Sequence, residues 1–404
     1  MIMPYAKQFI DAADVEAVST ALQSPIITRG SAVSEFEEEI ANYCGAKYAV
    51  AFNSGSTALL AAYQAAQTNA ADRILTTPNT FVASVSTGME LGATPIFVDI
   101  DRKTGNLNLE QVQYYLREYR SSRGRTIIVP VHFSGIPVDM ELIDKAICDP
   151  DAIVIEDAAH AFGSKYKNGK RVGCCDYSHM TIFSFHPAKT ITTGEGGMVL
   201  TNDSELNDRL RLFRNNGIQR NPEKLVADEE ERFEGYYEVV EMSGNYNFTD
   251  FQAALGLSQF QKLDSFIAKR RELITEYRRL LRDFPYVRLF SEEQDENTAF
   301  HIFVVQIDFA AFNTTRAHVV SALKEKGIGT QVHYIPVYRH PFFANKNGDL
   351  TSYFPEMEKY YSQALTLPLY YSLEADQVKF VVNSLKDILV AEREKKIKKK
   401  FPKR

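Results

Sequence analysis

Lys189 stands in a loop of threonines and glycines with one glutamate, inside the run FSFHPAKTITTGEGGMVLTND (residues 183–203). Apolar segments flank that loop on both sides. A lysine kept neutral can form an imine with an aldehyde, and once released it can carry a proton. The plain alternative is a solvated lysine decorating a hairpin loop. The choice depends on what the rest of the chain brings near it.

Three other segments offer partners. NSGSTALLAAYQAA comes after the apolar run YAVAF (48–52), and its Asn53-Ser54-Gly55-Ser56 turn opens an Ala- and Leu-rich helix capped by Ser56 or a neighbour. The free N–H groups of such a helix start favour an anion, most often a phosphate. The turn matches neither G-x-G-x-x-G nor a Walker A loop, so dinucleotide and triphosphate binding are disfavoured. AIVIED (152–157) ends in Glu156 and Asp157 and runs on to His160. One of those carboxylates should reach the ligand crevice and need a cationic partner, such as a protonated ring nitrogen or an arginine. RILTT (73–77) leads to Phe81, either a core residue or a face for a flat ring. Ser184 offers one more hydroxyl to a phosphate. A phosphate cradle, an acid for a ring nitrogen, an aromatic face and a loop lysine together describe pyridoxal 5′-phosphate held as an imine. Thr and Gly neighbours would let the backbone approach it closely.

These pieces must be placed by strand ends, since ligands of open α/β sheets bind beyond the carboxyl ends of the strands. Residues 48–202 alternate short β-branched runs with helical segments: YAVAF, RILTT, TPIFVDI (94–100), TIIVPVHF (126–133) and AIVIED. That rhythm predicts an α/β fold with a mostly parallel central sheet. MTIFSF (180–185) and GGMVLTN are too close for a crossover helix, so this pair should be antiparallel or displaced. Residues 204–283 read as helical around a polar excursion, NPEKLVADEEERFEGYYEVV. A smaller C-terminal α+β part begins after residue 284, with a strand in FHIFVVQIDF, a helix in TRAHVVSALKEKG and a strand in IGTQVHYIPV. We divide the chain into a large domain over residues 1–250 and a helix with a small domain over residues 251–404. The basic tail KKIKKKFPKR reads as a solvated end.

Composition narrows the classes. The chain has 404 residues, 45% of them hydrophobic, and a net charge of −6. A sizeable core is expected and nucleic acid is disfavoured as a partner. No apolar run reaches the ~18 residues of a membrane span, and the start lacks a secretory pattern, so a cytoplasmic protein is expected. The four cysteines form no disulfide framework, and no paired metal-ligand spacing exists, so no metal is expected.

The chain resembles the DegT/DnrJ/EryC1/StrS sugar aminotransferases, which have the aspartate-aminotransferase (fold type I) architecture. The blocks that carry the resemblance are NSGSTALLAA, TTPNTFVAS, PIFVDID, VHFSGIPVDM, EDAAHAFGSKYKN, SFHPAKTITTGEGGMVLTND, NYNFTDFQAALGLSQ and QVHYIPVY. They cover essentially the whole chain, and the SFHPAK…TTGEGG block after EDAAHA is highly specific. The resemblance implies that Lys189 forms the imine and shuttles the proton. It implies that Asp157 pairs with the pyridine nitrogen, His160 lies near the ring and its phenolic oxygen, and Phe81 stacks. Gly55, Ser56 and Ser184 would hold the phosphate. Asn245 would reach the cofactor of a neighbouring subunit, which puts the site at a homodimer interface. Relatives with histidine for the lysine act as dehydratases, so Lys189 favours transamination. Several blocks look closest to the pseudaminic acid branch, which aminates C4 of a UDP-linked 4-keto-6-deoxy-N-acetylhexosamine with L-glutamate as donor. His333 and Tyr334 would then contact the sugar nucleotide. The competing expectations are another keto sugar, on a TDP or GDP carrier, and a PLP-binding protein without turnover. This chain has Asn247 where many relatives have an arginine, and Arg214 or Arg220 is the candidate replacement.

Overall fold

The computed structural model describes residues 3–118 and 124–400. Its main sheet contains β1 (Tyr48–Phe52), β2 (Arg73–Thr76), β3 (Thr94–Phe97), β4 (Thr126–Val129), β5 (Ile153–Asp157), β6 (Met180–Ser184) and β7 (Gly197–Thr201), in the spatial order β1-β7-β6-β5-β4-β2-β3. The pairs from β3 through β6 are parallel. β7 lies antiparallel between β6 and β1, so the expected exception falls where the connection is short. β1 shares the direction of the parallel strands but touches only β7. The result is an aspartate-aminotransferase-like α/β fold.

Alternate residues of one strand enter two different cores. Ala49, Ile128, Val154 and Leu200 pack on one face, and Val50, Ile127, Ile155 and Val199 on the other. Both faces are therefore covered, as the continuous β-branched runs require. The helices of this part are α1 (Ala12–Leu22), α2 (Ser31–Cys44), α3 (Gly55–Ala65), α4 (Ala83–Glu90), α5 (Leu109–Glu118), α6 (Met140–Ala146) and α7 (Ser204–Arg214). The polar excursion is a surface segment with one short pair, β8 (Ile218–Gln219) and β9 (Glu238–Val239). The single long helical run expected after residue 250 is two helices, α8 (Asp250–Phe260) and α9 (Leu263–Leu281), broken at Gln261–Lys262.

A second sheet joins β10 (Val287–Arg288), β11 (Phe303–Ile307) and β12 (Ala364–Leu367), all antiparallel. With it lie α10 (Arg316–Glu325), α11 (Pro341–Asn347), α12 (Pro355–Gln363) and α13 (Ala375–Lys400). The last four residues of the basic tail, 401–404, lie outside the described residues. IGTQVHYIPV is not the expected strand. Its backbone makes single bridges with Met3 and Thr366, and the Tyr334 N–H donates to Asn79. A segment divided among partners on several elements cannot build a ladder. Arg270, buried on α9, donates to the carbonyls of Phe300, His301 and Leu369 and so pins that helix to the start of β11.

β5 shows how the sheet aims its polar ends. Successive side chains leave a strand on opposite faces. Glu156 turns inward and is fully buried. It accepts from His132 Nε2 at 2.8 Å, Tyr166 Oη at 2.5 Å, Ser178 Oγ at 2.5 Å and Thr181 Oγ1 at 3.0 Å. Burial pushes the Glu156 carboxyl up, but the donors led by His132 outweigh it and leave the pKa below its ordinary value. A carboxylate with a depressed pKa stabilises above its unfolded pKa and loses that contribution as pH falls through the folded one. We expect Glu156→Ala to cost about 3 kcal/mol or more, because it strands His132 and three hydroxyls in the core. A urea midpoint at neutral pH measures it, and the gap from wild type should narrow in acid.

Candidate active site

The loops that leave β1, β2, β4, β5 and β6 converge on one cavity of about 760 Å³. Gly55, Ser56, Phe81, Asp157, His160, Ser184, Lys189, His333 and Tyr334 all line it. Asn245 does not. It lies exposed beyond α7, in a bridge with Asn215.

The turn after β1 is capped by Ser54, the neighbour of Ser56. Ser54 Oγ accepts from Thr57 N–H at 3.1 Å and pairs with Thr57 Oγ1 at 2.8 Å. Gly55 and Ser56 occupy the first helical positions, whose N–H groups have no partner within their own helix. A Cβ on Gly55 would stand 2.9 Å from Ser184 Cβ and 3.0 Å from its Oγ, so only glycine lets the β6 end close on the helix start. A Cβ on Gly197 would likewise meet Ser54 O at 2.3 Å. These contacts build a small cradle of N–H and O–H donors at a helix N-terminus, which suits a phosphate.

Asp157, the residue β5 turns toward the crevice, is 5% exposed. Its Oδ1 accepts from Ala159 N–H at 3.1 Å, and its Oδ2 accepts from Ser84 Oγ. Ser84 in turn pairs with Thr80 Oγ1 at 2.6 Å. Across the cavity, Lys189 has its pKa pushed down to about 8 by burial, against the pull of Asp157. Phe81 presents a ring that is 59% exposed at the cavity wall, so it is not a core residue. An exposed aromatic face, an acid behind it and a depressed lysine suit a flat, phosphorylated, protonatable ring bearing an aldehyde. The residues present fit pyridoxal 5′-phosphate.

The remaining wall is built from histidines and tyrosines. His160 Nδ1 accepts from the Ser134 N–H at 3.3 Å, and Nε2 lies 2.9 Å from Tyr334 Oη. Burial pushes His160 and His301 well below the usual histidine range, and Lys189 adds to both. His333 falls to about 3 for the same reasons, and its Nδ1 pairs with Thr366 Oγ1 at 2.8 Å. Among the described lining residues there is no arginine. Arg214 is committed to Glu37 and to the Ala51 carbonyl, Arg220 stacks over Tyr237 at 4.9 Å, and neither lines this cavity. Asn247 Nδ2 donates instead to Asn215 and Asn245.

Sequence reading missed Ser84, His301 and Tyr5, which also line the cavity. Ser84 lies within TTPNTFVAS and one turn after Phe81, a spacing that could have been used. His301 stands just before β11 and Tyr5 in the N-terminal segment, and nothing local in their sequences points to this cavity.

The DegT/DnrJ/EryC1/StrS aminotransferase family matches residues 8–386. The spore coat polysaccharide biosynthesis protein SpsC of Bacillus subtilis is 35% identical over 388 residues, 96% of this chain and 97% of that protein. A UDP-4-amino-4,6-dideoxy-N-acetyl-beta-L-altrosamine transaminase of Campylobacter jejuni is 32% identical, over 96% of this chain and 98% of that protein. The solved structure of Helicobacter pylori PseC, an aminotransferase involved in the biosynthesis of pseudoaminic acid, superposes with a TM-score of 0.85 at 29% identity, covering 97% of this chain and 100% of that one. The chain thus belongs to the DegT/DnrJ/EryC1/StrS aminotransferase family and is a pyridoxal-phosphate-dependent sugar aminotransferase.

Proposed function

We propose that the enzyme moves the amino group of L-glutamate to C4 of a UDP-linked 4-keto-6-deoxy-N-acetylhexosamine. The observation that carries this reading is Lys189 and Asp157 lining one cavity beside a phosphate cradle. The relatives named as transaminases of a UDP-linked amino sugar support the substrate. The enzyme acts as a cytoplasmic homodimer, with Asn245 serving the partner's site. No helix among the described residues is long and apolar enough to cross a membrane.

Gly55, Ser56 and Ser184 would hold the cofactor's phosphate, Asp157 its ring nitrogen and Phe81 its face. Bound there, the cofactor supplies an aldehyde and an electron sink. Ser84 and the Ala159 N–H hold the Asp157 carboxylate in place at the cavity. Lys189 attacks as a free amine, and later takes and returns a proton at Nζ. His333 and Tyr334 face the space left for the sugar nucleotide. The competing reading is a keto sugar carried by another nucleotide such as TDP or GDP; the relative SpsC is named only for spore coat polysaccharide biosynthesis.

Purified enzyme given glutamate and a panel of keto sugar nucleotides decides between these. We expect the UDP-linked 4-keto sugar to exceed TDP- and GDP-linked analogues by about tenfold or more in kcat/KM. Lys189→Ala should lose at least about 10²–10⁴-fold in turnover, the contribution of a positioned acid–base group alone. It should also fail to trap the cofactor covalently on borohydride reduction. As pH rises through about 8, Lys189 loses its proton. Covalent capture of added pyridoxal 5′-phosphate by apoenzyme should therefore accelerate, with roughly a tenth of the amine neutral at pH 7 and nine-tenths at pH 9. Stopped-flow absorbance reads this, and a flat profile over that range would contradict it.

A further inference from the structure

One wall of the cavity has hydrogen-bond donors that neither the fold nor the cofactor site uses. His160 accepts from the backbone N–H of Ser134 at Nδ1, so in the neutral ring the proton must sit on Nε2. That proton points at Tyr334 Oη, 2.9 Å away, which makes the tyrosine oxygen the acceptor. Tyr334 must then aim its own proton elsewhere, and among the described residues it has no acceptor. Tyr334 lines the cavity, and an acceptor brought there by a ligand would complete the chain.

His301 lies on the other side of His160, with ring centroids 4.3 Å apart. It is 3% exposed, and its Nδ1 is buried without a partner. An unpaired acceptor costs less in a protein interior than an unpaired N–H. The favoured tautomer therefore leaves Nδ1 bare and puts the proton on Nε2. His301 is held firmly in this position. Its N–H donates to Ser134 O at 3.0 Å, and its carbonyl accepts from Arg270. Ser134 is itself fixed at φ 60°, with its Oγ donating to Ile302 O at 2.6 Å. One turn thus orients both donors.

We propose that the Tyr334 hydroxyl and the His301 ring N–H together hold the α-carboxylate of the amino donor beside Lys189. A carboxylate has two oxygens and needs at least two donors when it leaves water. Among the described residues no arginine lines the cavity to supply a fork. The two donors flank His160, and Lys189 is close enough to both His160 and His301 to depress them. The inference rests on the reading of glutamate as donor, and the test separates the two.

Glutarate carries both carboxylates of glutamate and no amine, so it binds without reacting. Titrated into the holoenzyme by calorimetry, it should bind Tyr334→Phe and His301→Leu about tenfold more weakly each, the loss of one hydrogen bond to a charged group. Cofactor affinity and the visible absorption band should stay as in wild type. Unchanged glutarate affinity in both variants overturns the proposal. So does a displaced absorption band with unchanged glutarate affinity, which would assign these donors to the cofactor's phenolic oxygen. His301→Leu leaves the Ser134–His160–Tyr334 chain intact and carries the test if Tyr334→Phe does not fold. A wild type that ignores glutarate but turns over another amino acid overturns the glutamate reading alone. The same comparison with that acid's deaminated analogue then decides the carboxylate site.

Discussion

Burial works against the charged form of Lys189, Asp157 on the same cavity works for it, and burial wins, leaving the amine near pH 8. Had the cavity been wetter, the lysine would stay protonated and could not attack an aldehyde. Had it been drier, with no acid, nothing would hold a ring nitrogen in its protonated form. The lysine's role depends on an environment that holds its amine close to the working pH, as in other acid–base sites. The large sheet brings both groups to one cavity, from the end of β5 and the loop after β6.

The β5 end does most of that positioning. Glu156 and Asp157 are adjacent in sequence but leave the strand on opposite faces. Glu156 is locked by four donors in the core, which fixes the strand's rotation about its own axis. With that rotation fixed, Asp157 has only the crevice to enter. A buried carboxylate turned away from the cavity therefore sets the orientation of the one that lines it. The same logic applies at the β6 end, where the absence of a side chain on Gly55 admits Ser184 to the helix start.

Much of this was legible before any coordinates. The segments carrying Gly55, Phe81, Asp157 and Lys189 could be read because each sits at or just beyond the end of a β-branched run, and turn chemistry at a strand end is written in neighbouring residues. The antiparallel β6–β7 pair could be deduced from connection length alone. The features that could not be read depend on contacts distant in sequence. IGTQVHYIPV has strand-like residues, yet its partners at Met3, Thr366 and Asn79 divide it among several elements. Arg214 was a candidate for the missing arginine until Glu37, from α2, proved to occupy it. His301 gave no local sign, because its place depends on Ser134 and Arg270, more than 160 and about 30 positions away respectively in the numbering of the chain.

An enzyme that takes two substrates in turn faces a constraint on charge. Under the proposed reaction, the cavity would first admit a small dicarboxylate and then a sugar bearing hydroxyls and an acetamide. A fixed arginine would suit the first, but it would be left poorly paired and desolvated when the second filled the same space. Uncharged donors avoid this conflict, because an O–H or a ring N–H can serve a carboxylate oxygen or a sugar hydroxyl with a similar penalty for burial. The buried histidines, all held neutral by their surroundings, and the tyrosine that His160 orients are donors of this kind. The same neutrality protects Lys189. Positively ionised neighbours would push its pKa further down, weaken it as a base, and repel the proton it must take up. A wall of neutral donors therefore reconciles the demands of the lysine with those of two unlike substrates.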